Sequence, residues 1–182
     1  MRGFLSPRYV DDAERPVEWR AIEWIGFSQN YLRAAVVVQA DNVFRSPASL
    51  YLAGHGLECA LKACIRADGD VSPNSHDLVR LMEHAEAKGY RLHEHQLWCL
   101  IRLNWNTFAD PETGTAWKAR YPPPQAESDP MRPPDAVDVL GAGVELLKQV
   151  ARRVSFEVDW DLWRIESMQL CVLRGPDARA PG

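Results

Sequence analysis

The 182-residue chain has no excess of basic residues: 21 Lys and Arg stand against 25 Asp and Glu, a formal charge of −4. The electrostatic footprint of a broad, sequence-independent nucleic-acid binder is therefore missing. No run of about 18 apolar residues occurs, so no membrane-spanning helix is expected. The N-terminal MRGFLSPRYVDDAERP lacks the apolar core of a secretory signal, and the cytoplasm is the expected compartment. The four cysteines, Cys59, Cys64, Cys99 and Cys171, contain no CxxC pair, and disulfides are not expected. Cys59 and Cys64 fall in an apolar helical pattern that suits small buried thiols. His93 and His95 lie near Cys99, but helical spacing sends residues two apart to different faces, so they do not converge. With no closed ligand set in view, neither a metal nor another cofactor is expected. The glycine motifs that cradle phosphates, the nucleophile elbow and the zinc-protease helix signature are missing too.

What the sequence does contain is an ordinary globular composition, 46% hydrophobic and 25% charged, sized for one domain. Residues 1–15 are polar and unpatterned and read as a flexible arm. Pro16 suits the first turn of a helix. From there to Ala40, residues Ala21, Trp24, Ile25, Ser28, Tyr31, Leu32, Ala35 and Val38 recur at three-to-four spacing, which predicts a helix over 17–40. Ser46-Pro47 reads as a cap and first helical position, followed by a periodic run that should stop at Asp68-Gly69. Gly54 and Gly56 inside that run cost roughly 1 kcal/mol each, which points to close helix–helix approach.

Ser75 is positioned to cap a third helix over about 76–88, ended by Lys88-Gly89. A fourth covers about 92–104. Residues 109–134 hold 7 of the 13 prolines and read as a long loop. A fifth helix is expected over about 135–153. Then the period changes: Val154, Phe156, Val158, Trp160 and Leu162 alternate with polar residues, as in a strand. Met168, Leu170 and Val172 alternate again, which admits a short C-terminal β hairpin within an extension over 154–174. The rival is that the last helix runs on. Residues 175–182 read as a disordered tail. The fold class expected for 16–153 is mostly α, an antiparallel up-and-down bundle of four to five helices with the second helix central.

The most informative side chains lie on that second helix. Tyr51, His55, Glu58 and Lys62 are spaced four, three and four and share a face. On a wet face, Glu58 and Lys62 would be a weak ion pair worth a few tenths of a kcal/mol. An aromatic ring and an imidazole beside Leu57 and Leu61 argue instead for a stripe half-buried between helices. Such a pair needs partners from outside its own helix. Candidates are His76-Asp77 and Arg120-Tyr121.

The strings YLAGHGLECALKACI, HDLVRLMEHA and RYPPP, the last before a final helix, together resemble the HEPN domain (higher eukaryotes and prokaryotes nucleotide-binding) across about 17–153. The resemblance implies a bundle of four long helices and a shorter one, frequent homodimerisation, and bacterial association with nucleotidyltransferases or toxin–antitoxin pairs. Many HEPN proteins are metal-independent ribonucleases marked by Arg, four to six residues, then His. Here Arg80 and His84, like Arg91 and His95, are separated by three residues, and Arg66 and His76 by nine. The motif is absent, Arg80 and His84 read as a surface pair, and no catalytic residue is assigned.

The expectation is a nucleotide- or RNA-end-binding module with candidate ligand residues Tyr51, His55, Glu58, Lys62, His76, Arg120 and Tyr121. Lysine and arginine suit phosphate, and tyrosine suits a base. One rival is a ribonuclease in which His76 or His55 moves a proton. The other is a purely structural dimerisation subunit, its apolar face and residues 154–172 meeting a second copy or another protein.

Overall fold

The computed structural model describes residues 17–40, 47–105 and 133–157, and they form a mostly helical bundle. Its helices are α1 (Val17–Ala40), α2 (Pro47–Ala67), α3 (Leu78–Ala87), α4 (Glu94–Leu103) and α5 (Ala136–Arg153). Three are long and two short, where the resemblance implied four long and one short. Among the described residues there is no strand, and no helix is long and apolar enough to cross a membrane. The expected arm, the tail, the hairpin from Val158 onward, the Ser46 cap and most of the proline-rich loop lie outside the described residues.

Helix α2 is the axis of the bundle. From Ala53 to Ile65 every residue except His55 is buried. Its Leu57, Leu61 and Ile65 join Leu32 of α1, Leu81 of α3, Leu100 of α4 and Leu146 of α5 in one core. Each such side chain contributes about 2 kcal/mol by leaving water.

Helix α1 packs antiparallel to α2. Ser49 Oγ donates to the Ala35 carbonyl at 3.1 Å, and Ser28 Oγ donates to the Gly56 carbonyl at 2.7 Å, so one number rises as the other falls. The approach is close because Gly56 has no side chain. A Cβ there would sit 2.5 Å from Leu32 Cγ and Cδ2, and one on Gly143 of α5 would sit 3.0 Å from Leu32 Cδ1. Leu32 thus fills a socket made by two glycines on two helices, which is the expected reason for Gly56.

Helices α4 and α5 are also antiparallel. Arg91 N–H donates to Gln149 Oε1 at 3.0 Å while Gln149 Nε2 donates back to Arg91 O at 2.7 Å; further along, Gln96 Nε2 donates to Gly141 O at 3.3 Å. The expected up-and-down alternation has one exception, between α2 and α3. His76 at the head of α3 meets Glu58, and Lys88 at its tail meets Asp70 at 2.5 Å, so α2 and α3 point the same way. Residues 68–77 therefore run back along the bundle. Gly69 (φ 84°) turns the chain and Arg66 Nε, donating to Ser72 Oγ at 3.3 Å, ties the return down.

Helix ends follow local chemistry. Helix α3 starts two residues later than expected, because Asp77 and not Ser75 is its cap: Asp77 Oδ1 accepts from Val79 N–H at 3.0 Å and Arg80 N–H at 3.1 Å. Ser75 Oγ instead accepts from Asp77 N–H at 3.0 Å. At the other end Gly89 (φ 91°) allows Tyr90 N–H to reach Ala85 O at 3.1 Å and its own N–H to reach Glu86 O at 3.0 Å, a Schellman closure. Helix α5 closes the same way on Ser155 (φ 51°), with Phe156 N–H donating to Ala151 O at 2.9 Å. Val154 and Phe156 then pack against the core, so the change of period read at 154 marks a true helix end. Arg153 gathers three helix C-termini. Its guanidinium donates to Lys88 O at 2.9 Å, pairs with Asp68 and lies 5.3 Å over the Tyr90 ring.

Candidate functional site

The α2 stripe lies in the seam between α1 and the 72–77 return. The register that pairs residue 28 with 56 also brings Trp24 and Tyr31 of α1 against Lys62 and His55. Glu58 is the hub. Lys62 Nζ donates to its Oε1 at 2.6 Å, His76 Nδ1 lies 3.1 Å from both carboxylate oxygens, and His55 Nδ1 lies 3.5 Å from Oε2. Glu58 is only 4% exposed and Lys62 only 7%, which removes both from the wet-face reading. Each has the external partner expected of it: His76 for Glu58, and for Lys62 the Trp24 ring, whose centroid is 5.1 Å from Nζ.

Burial is the largest single influence on Glu58 and opposes its ionisation. The hydrogen bonds from His55, Lys62 and His76, with the Lys62 charge, outweigh it and hold the carboxyl at about 2. An ionised carboxylate only accepts hydrogen bonds, so His76 must carry a proton on Nδ1 to bond it. That orients the ring and turns Nε2 away from the carboxylate. The His76 side chain is 56% exposed, so the ring reaches the surface.

His55 sits between two phenols: Tyr51 meets it edge-on at 4.4 Å and Tyr31 is tilted 31° at 5.5 Å. The structure therefore brings Tyr51, His55, Glu58, Lys62 and His76 together. Arg120 and Tyr121 lie outside the described residues. Asp77, offered as a partner of the Glu–Lys pair, turns instead to the α3 cap. There Asn104 donates to Asp77 Oδ1 at 3.1 Å and accepts from Leu78 N–H at 2.7 Å. This clamp holds the Asp77 side chain and the Leu78 N–H, one and two residues beyond His76.

Three contributors were missed from the sequence. Trp24 and Tyr31 read there as ordinary members of the α1 apolar stripe, and Asn104 as part of α4. Only the α1–α2 register reveals the first two, although their seven-residue spacing on one face is a usable signal. Arg80 and His84 are both exposed, as expected of a surface pair. Burial pushes the neighbouring Cys59 thiol up to about 12, aided by the Glu58 charge, so it is no nucleophile.

A second cluster lies where α4 crosses α5. The ligand atoms of His95, Cys99 and Asp138 fall within 4.8 Å of one another. Set against protein-family models, curated proteins and solved structures, the chain has no match in any of the three comparisons.

Proposed function

We propose that the chain is a HEPN-like binding module whose α1–α2 seam receives a nucleotide or a short RNA end. The observation that carries this reading is the exposed His76 imidazole fixed through Nδ1 on a buried, ionised Glu58, beside the Tyr31–His55–Tyr51 aromatic cluster. An oriented ring nitrogen suits a phosphate oxygen, and the phenols offer faces to a base. The buried geometry redistributes roles. Lys62 is committed to Glu58 and Trp24, so it sets the shape and charge of the hub, while His76 and His55 face the ligand and Arg120 would grip phosphate from the proline-rich segment.

The likeness of YLAGHGLECALKACI and HDLVRLMEHA to HEPN sequences supports the same reading. So does the exposure of Trp19, Phe27 and Val37 on α1, which suits homodimerisation or a nucleotidyltransferase or antitoxin partner.

The test is thermal unfolding with nucleoside mono- and diphosphates and short RNAs phosphorylated at either end. A phosphorylated ligand at 100 times its Kd should add about 2.7 kcal/mol of stability, and His76→Ala should abolish the effect. No shift with any of them at millimolar concentration rejects the reading.

A second reading, metal-independent RNA cleavage, is favoured by one observation: two imidazoles share the Glu58 carboxylate, an arrangement suited to proton transfer. Cleavage in the presence of chelator, lost in both His76→Ala and His55→Ala, would establish it over binding alone.

A further inference from the structure

We infer that His95, Cys99 and Asp138 form a binding site for one zinc-class divalent cation, clasping α4 to α5. His95 and Cys99 are one helical turn apart on α4, with His95 Nε2 3.9 Å from Cys99 Sγ. Asp138 comes from the first turn of α5, and all three ligand atoms lie within 4.8 Å of one another. Bond lengths of about 2.0–2.3 Å around a tetrahedral ion set donor–donor distances at roughly 3.3–3.7 Å. The imidazole–thiol pair is already within a few tenths of an ångström of that, and rotation of the half-buried Asp138 carboxylate supplies the rest.

The donors discriminate among ions. One imidazole, one thiolate and one carboxylate suit zinc and its cobalt surrogate, whereas magnesium and calcium prefer oxygen alone. Three protein ligands leave a fourth position for water or a substrate atom. Hydrogen bonds tie the two helices together beside the cluster: Gln96 Nε2 donates to Gly141 O, and Gln149 exchanges two hydrogen bonds with Arg91. The charges also close, since a thiolate and a carboxylate neutralise a divalent ion.

The obvious alternative use of the same three residues is a Cys–His–Asp nucleophile. It fails on access and acidity. Cys99 is 3% exposed, and burial, reinforced by Asp138, pushes its thiol up. A cation removes that obstacle by displacing the thiol proton on binding.

Full-length protein, stripped with chelator and kept reduced, is titrated with Co2+ and then with Zn2+. The expected result is one Co2+ per chain at micromolar concentration, with a thiolate-to-cobalt charge-transfer band that Cys99→Ser removes and Zn2+ displaces. Zn2+ should also raise the thermal midpoint. Because Cys99 packs inside, the exposed His95→Ala and half-buried Asp138→Asn carry the test if the serine variant misfolds. Each should weaken Co2+ binding by about tenfold or more. Absence of saturable micromolar binding, or a band and affinity unchanged in both of these variants, overturns the site.

Discussion

At the scale of single residues, the energetics concentrate on Glu58. A carboxyl held at about 2 in the fold, against 4.5 when unfolded, stabilises the folded state fully above pH 4.5. That share, on the order of 3 kcal/mol, fades as pH falls from 4.5 towards 2. Urea unfolding of the native chain should therefore weaken over this window, and Glu58→Gln should flatten the dependence there. At neutral pH the same substitution leaves Lys62 buried beside a neutral amide, and a loss of about 3 kcal/mol is expected. Asn104→Ala is the complementary test of positioning. It strips partners from Leu78 N–H and Asp77, which should cost about 1–2 kcal/mol by the same unfolding measurement. If the clamp positions His76, the variant should also weaken the ligand-induced thermal shift more than an equally destabilising change in α4 does. The stripe itself was legible in the sequence because helical spacing alone puts Tyr51, His55, Glu58 and Lys62 on one face. Of its partners His76 was legible, because it heads the next helix, whereas Trp24 and Tyr31, and the Asn104 that clamps Asp77, lie on other helices whose register no local pattern encodes.

At the scale of elements, the α1–α2–α5 packing turns on Leu32. Gly56→Ala should raise helix propensity yet destabilise the protein by about 1–3 kcal/mol, because the new methyl overlaps a side chain with no room to move. In a Leu32→Ala background, which is itself destabilised by the lost side chain, Gly56→Ala should cost less than it does in the native chain. Thermal unfolding of the four proteins of the cycle would show the coupling as non-additivity. At the end of α5 the opposite effect is expected. Ser155 holds φ 51°, a conformation glycine adopts without strain, so Ser155→Gly should raise the midpoint, by up to about 1 kcal/mol of stability. All five helices could be read from apolar period, with boundaries set by Pro47, Gly69 and Gly89. The start of α3 was misplaced because Ser75 and Asp77 are both good caps, and what decides between them is Asn104, 27 residues from Asp77. Asp138 escaped notice for the same reason, since its neighbours His95 and Cys99 belong to a helix far back along the chain.

At the scale of the whole molecule, association is the open prediction. Phe156 belongs to the closure of α5, so a truncation that tests the role of the following segment should fall after Glu157, leaving that closure intact. Light scattering of the full chain is expected to give a dimer, and of the truncated chain a weaker one; a full-length monomer at high micromolar concentration refutes the dimer. The meeting of α2, α3 and α5 at Arg153 reaches further, into the order of events during synthesis. Its partners Asp68 and Lys88 lie 85 and 65 residues earlier, so the first four helices emerge before the residue that joins the ends of α2 and α3. Until then the face of α2 that packs against α5 lacks that cover. A ribosome-bound chain stopped before α5 should therefore be open to protease and attractive to chaperones, and the bundle should close in one late step rather than helix by helix.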